Sequence, residues 1–148
     1  MGDLHIDDFC KDTAKILLML FRRFPVKTTL YVEDISGPDA PDEFGLHSPR
    51  FESCFSAMVW LKDADYIHYA TTVKQEAVED AVLSHRGFNL LTSIDNEAHL
   101  NLHTEPSNQS EQPMGRRIDH IKHTVQHGSS EALKNLVLRY MMKSRDFL

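Results

Sequence analysis

Nine histidines in 148 residues are the first feature with the means to do chemistry. His120, His123 and His127 fall on one side of a helical pattern, and the i, i+4 pair His123/His127 has the spacing that lets two imidazoles share one ion. That side lies opposite the apolar stripe of Ile118, Ile121 and Val125, with only Asp119 as a neighbouring carboxylate. A solvated polar face with no metal is therefore the expectation. His99 and His103 repeat the spacing in a segment with little helical signal and receive the same reading. Asp39, Asp42 and Glu43 sit in a turn-rich stretch, where carboxylates are ordinarily solvated. Cys10 and Cys54 each lie inside an apolar helical pattern and read as core thiols of a cytoplasmic protein. Nucleophile–base pairs, phosphate-cradling glycine loops, H-E-x-x-H and C-x-x-C are all missing from the sequence, so no catalytic residue, no cofactor and no enzymatic activity are expected.

Charge narrows the partners. The chain is net −6, with an uneven spread. Residues 1–92 carry 9 Lys/Arg against 15 Asp/Glu, residues 93–114 carry 0 against 4, and residues 115–148 carry 7 against 3. The first part repels nucleic acid on average. With 41% apolar and 26% charged residues and no apolar run of bilayer length, a globular protein with one core and an appendage is expected, and no membrane partner.

The elements that must position any site follow from periodicity and end signals. Phe9, Ile16, Leu17, Leu20, Phe21 and Phe24 predict a helix over 7–24 that Pro25 stops. Its apolar arc also takes in Cys10, Ala14 and Leu18, which is wide enough to need covering on two sides. V-K-T-T-L-Y-V-E-D-I-S-G is a strand, or a short strand followed by a short helix, and residues 37–48 are an acidic loop. Ser48 caps and Pro49 opens a helix whose core face is Phe51, Cys54, Phe55, Met58 and Leu61. Tyr66 to Tyr69 and Val73 to Val78 are two β-prone runs around a small polar turn at Thr71-Thr72, and helical spacing resumes over 77–91, with Gly87 near its middle. Residues 93–114 form a polar linker with at most a helical turn around Leu100 and Leu102. Two more helices follow, over 116–127, ended by Gly128, and over 130–143.

The segments L-K-D-A-D-Y-I-H-Y and V-L-S-H-R-G-F-N-L-L together resemble the wing entry and closing helix of the winged-helix superfamily of DNA-binding proteins. The resemblance covers roughly residues 7–92 and is to the superfamily, with no particular family indicated. It implies an α+β winged helix-turn-helix domain over 1–92, a linker over 93–114 and a C-terminal helical extension over 115–148. It further implies that the helix from Pro49 to Asp63 lies in the major groove and that the wing touches phosphate or the minor groove. Carried onto this chain, that helix would offer Arg50, Ser53, Ser56 and Trp60, and the wing Lys74. Two functions follow as expectations: a homodimeric transcriptional regulator that binds double-stranded DNA, or an interaction module that has lost DNA and binds another protein. Basic side chains on the reading helix are few, since Lys62 falls toward the buried arc and leaves only Arg50.

In the last helix, Leu133, Leu136, Val137, Tyr140 and Met141 form an apolar stripe that needs a cover. Winged-helix regulators commonly dimerise through flanking helices, so the resemblance implies a homodimer interface of this stripe with Leu17 and Phe21 of another copy. The alternative is a cap packed within one chain.

Overall fold

The first helix, α1 (Leu4–Arg23), is enclosed around most of its girth. From Asp12 to Leu18 only Lys15 retains partial contact with solvent. The computed structural model, which describes residues 4–94 and 115–145, surrounds α1 with β1 (Thr28–Tyr31), α2 (Val32–Ser36), α3 (Pro49–Asp63), β2 (Ile67–His68), β3 (Thr71–Val73), β4 (Ala77–Leu83), α4 (His85–Thr92), α5 (Arg117–His127) and α6 (Ser130–Arg145). The class is α+β: six helices with a small antiparallel sheet, among the described residues. None of those helices is long and apolar enough to cross a membrane.

In the sheet, β4 is central. It pairs with β1 along one edge and with β2 and then β3 along the other, every pairing antiparallel. On the second edge the register is continuous, from Ile67 opposite Leu83 to Val73 opposite Ala77, so β2 and β3 act as one interrupted strand. Against β1 the register slips between Thr28 and Leu30. Asp80 there adopts φ +58°, a left-handed conformation that Asp tolerates better than most residues, and the local bulge leaves Glu79 and Asp80 both exposed.

This hairpin corrects two sequence expectations. The turn is at Lys74-Gln75, not Thr71-Thr72; both turn residues have positive φ (48° and 60°), as a two-residue type I′ turn requires, and Glu76 N–H closes it on the Val73 carbonyl at 2.8 Å. The helix expected over 77–91 is a strand as far as Leu83. Alternation of apolar residues with a bulge mimics helical spacing over so short a run, and pairing on both edges decides for the strand. Helix α4 starts only after Ser84, its N-cap, whose hydroxyl accepts the Gly87 N–H at 3.0 Å and donates to the Asp65 carbonyl at 2.5 Å. Gly87 is required by close approach: a Cβ there would lie 2.2 Å from the Tyr66 carbonyl oxygen.

The stripe expected at a dimer interface or in a cap packs within the chain. Leu17, Leu133, Leu136, Val137 and Tyr140 are buried within the single chain, while Phe21 and Met141 are partly buried against the same core. Helices α5 and α6 pack on α1 and α4. The cover for each wide apolar arc is the other arc, and the extension caps the core, the alternative the sequence leaves open. Residues on either side of 95–114 are pinned together, Arg117 N–H donating to the Ser93 carbonyl at 2.8 Å beside an Ile94–Arg116 bridge. The turn expected around Leu100 and Leu102, and the pair His99/His103, lie outside the described residues.

Candidate interaction surface of α3 and the hairpin

Helix α3 begins as its end signals indicate, with Ser48 Oγ accepting the Phe51 N–H at 3.3 Å and Pro49 in the first turn. Phe51, Cys54, Ala57, Met58 and Leu61 turn inward, leaving Glu52, Ser56, Trp60, Lys62 and Asp63 in solvent. Lys62 thus sits outside the buried arc to which the spacing assigned it, its ammonium 4.7 Å from the centre of the Tyr69 ring.

Arg50 is engaged within the chain. Its guanidinium makes a two-pronged pair with Asp12 of α1, Nη1 to Oδ2 at 2.6 Å and Nη2 to Oδ1 at 2.5 Å, and lies 3.7 Å from Asp8. Hydrogen bonding to Asp12 raises the Arg50 pKa above its ordinary value. Asp12 is fully buried, so the pair locks α3 to α1 and engages the side chain expected to contact DNA or a partner. A carboxylate inside the apolar arc of α1 was the available sequence signal, since a buried Asp needs a cation.

Of the other expected contact residues, Ser53 is half-buried, while Ser56 and Lys74 are exposed. Trp60 is 47% exposed. It rests edge-on against Phe9 at 5.3 Å between ring centres and stacks at 6.3 Å on Tyr66, so its packing partners come from α1 and the start of the hairpin. The result is a rigid aromatic platform that still faces water.

Around this platform the charge is one-sided. Residues 32–80 hold eleven Asp/Glu against three Lys/Arg, one of which is the committed Arg50. Lys74 at the turn is followed by exposed Glu76, Glu79 and Asp80, and Asp42 and Glu43 project from the loop 37–48. Exposed basic residues of α1 and its neighbourhood, Arg22, Arg23 and Lys27, adjoin Thr28, which pairs with Ala81 and so lies at the end of the sheet away from the hairpin turn.

Sequence reasoning missed the element that organises the loop. The imidazole of His47 places Nδ1 3.1 Å from Asp39 Oδ2 and Nε2 3.3 Å from Glu76 Oε1, and its ring stacks on Phe51 at 4.2 Å. Asp39 also accepts the Ser48 N–H at 2.9 Å; that backbone hydrogen bond, more than the neighbouring His47, holds its carboxyl below the ordinary value. Asp42 Oδ1 accepts the N–H groups of Phe44 and Leu46, each at 2.9 Å, presenting those two side chains to solvent. A cavity of about 160 Å³ opens between loop, α3 and turn, lined by Leu46, His47, Phe51, Glu52 and Gln75.

The histidines that opened the sequence reading are dispersed in role. His123 and His127 are exposed with ring centres 5.0 Å apart, whereas His120 is half-buried against Gly115. Among the described residues no group of three or more His, Cys, Asp or Glu is placed to hold a metal ion. Comparison with protein-family models, curated proteins and solved structures finds no match to this chain.

Proposed function

We propose that this chain is a winged-helix protein whose reading-helix face docks another protein instead of DNA. Support for the fold comes from the order of elements, α1-β1-α2-α3, then a two-stranded hairpin whose return strand also pairs with β1, then a closing helix. In this reading α3 is the reading helix and the Lys74-Gln75 turn is the tip of the wing. The observation that carries the choice of partner is the charge of that face: acidic side chains predominate on the loop, α3 and the wing, and the helix's own arginine is consumed by Asp12. DNA affinity depends on neutralising phosphates, and this surface repels them. Trp60, a half-exposed aromatic in a fixed setting, has the character of an interface anchor. A cytoplasmic setting belongs to the same reading, and no catalysis is part of it.

Lys62, Lys74 and the exposed hydroxyls of Ser56, Thr71 and Thr72 favour the second reading, a DNA-binding regulator. Titration with random duplex at about 50 mM salt separates the two. The interaction module gives no measurable binding; affinity that falls steeply with added salt, and weakens in Lys74→Ala, would establish the regulator and overturn the proposal.

A further inference from the structure

We propose that His47 is a proton-operated latch that ties the acidic loop 37–48 to the hairpin turn. This goes beyond the choice of partner and stands whichever partner is right.

Two carboxylates face the two ring nitrogens, Asp39 at Nδ1 and Glu76 at Nε2, both within hydrogen-bond distance. A neutral imidazole has one N–H and one lone pair, so it donates to only one of them and turns a lone pair toward the other. Only the imidazolium donates to both. One ring proton therefore decides whether the bridge is complete.

The surroundings determine which half opens. Asp39 lies in the loop itself and is held by Ser48 N–H as well as by His47, so the Nδ1 side is anchored. Glu76 is the distal partner; its side chain is 51% exposed and reaches the ring from the turn, while its backbone is fixed by Glu76 N–H to the Val73 carbonyl and Val32 N–H to the Glu76 carbonyl. From α3, Glu52 lines the same cavity and Phe51 supplies the stacked ring. Loss of the proton leaves Asp39, Glu76 and Glu52 without an intervening cation. Repulsion then separates the loop from the turn while the Asp39 contact persists. Closed when the ring carries both protons and open when it carries one, the latch controls how Leu46 and the cavity beside it are presented.

Proton–nitrogen NMR of the intact chain between pH 5 and 8.5 tests this directly. Expected are both His47 ring nitrogens protonated at the acidic end and one common midpoint for the ring and the amides of Leu46, His47, Gln75 and Glu76. Glu76→Gln should lower that midpoint and abolish the response of the turn amides while the Asp39 side still titrates. His47→Phe, which preserves a ring on Phe51, should abolish both responses. A single neutral tautomer throughout, or loop and turn amides whose pH response survives His47→Phe, would overturn the latch.

Discussion

Replacing Arg50 by Met removes the cation from a carboxylate that has no access to water. Asp12 is completely buried and both of its oxygens are hydrogen-bonded by the one guanidinium. Breaking a buried pair from the side that leaves the enclosed charge costs about 3–5 kcal/mol. In a chain of this length each kcal/mol moves the midpoint by about 2–4 °C, so Tm should fall by roughly 6–20 °C. Substituting the other partner should cost less. In Asp12→Asn the remaining charge is Arg50, whose side chain is 33% exposed and has Asp8 at 3.7 Å, so a loss of about 1–3 kcal/mol is expected. The double variant Asp12→Leu/Arg50→Met, which leaves no charge to desolvate, should recover most of the loss of Arg50→Met. Urea unfolding at neutral pH, followed by circular dichroism, measures all three. A cost below about 1 kcal/mol for Arg50→Met would refute the argument, because it would mean that the arginine is a solvated side chain free to meet a partner.

Gly87→Ala drives a methyl group into the Tyr66 carbonyl, which the β2 pairing and the Ser84 contact hold in place; destabilisation of at least about 1–3 kcal/mol is expected in the same unfolding assay. Burial pushes the thiols of Cys10 and Cys54 up to about 11 and 12, so neither should react with a disulfide reagent at neutral pH until denaturant is added. Asp39 is held below its ordinary value in the folded chain, so its stabilising contribution is present above about pH 4 and is lost as pH falls through the folded value. Stability measured from neutral pH downward should accordingly fall less in Asp39→Asn than in the parent chain.

What could be read from the sequence was whatever local chemistry decides. Ser48 and Pro49 mark the start of α3, Pro25 bounds the first helix, and the inward face of α3 follows helical spacing because every residue on it meets one core. Legibility failed where a distant partner overrides local preference. Residues 77–83 satisfy both a helical and a strand pattern, and the choice falls to pairing on both edges, with β2/β3 across the hairpin and with β1 far back in the sequence. The Lys74-Gln75 turn carries no Gly or Asn, so the residues that usually announce a type I′ turn are absent. The site is legible in part: spacing places Trp60 off the core stripe, but it cannot pair Arg50 with Asp12, 38 positions earlier, nor His47 with Asp39 and Glu76, which meet only in three dimensions.

The width of an apolar arc says that a helix is covered on two sides, without saying whose surface does the covering. On α1 the arc is met by α3 and the sheet in one direction and by α5 and α6 in another, all from the same chain. Ser93 and Ile94 meet Arg116 and Arg117, so α5 and α6 enter the core beside the end of α4. Those helices fill the arc within one chain, so the stripe of α6 and the arc of α1 cover each other. The large exposed apolar side chains that remain include Phe44, Leu46 and Trp60, which are carried by the acidic loop and α3. In the proposed reading, these three side chains and the acidic residues around them are the part of the surface that a protein partner would meet.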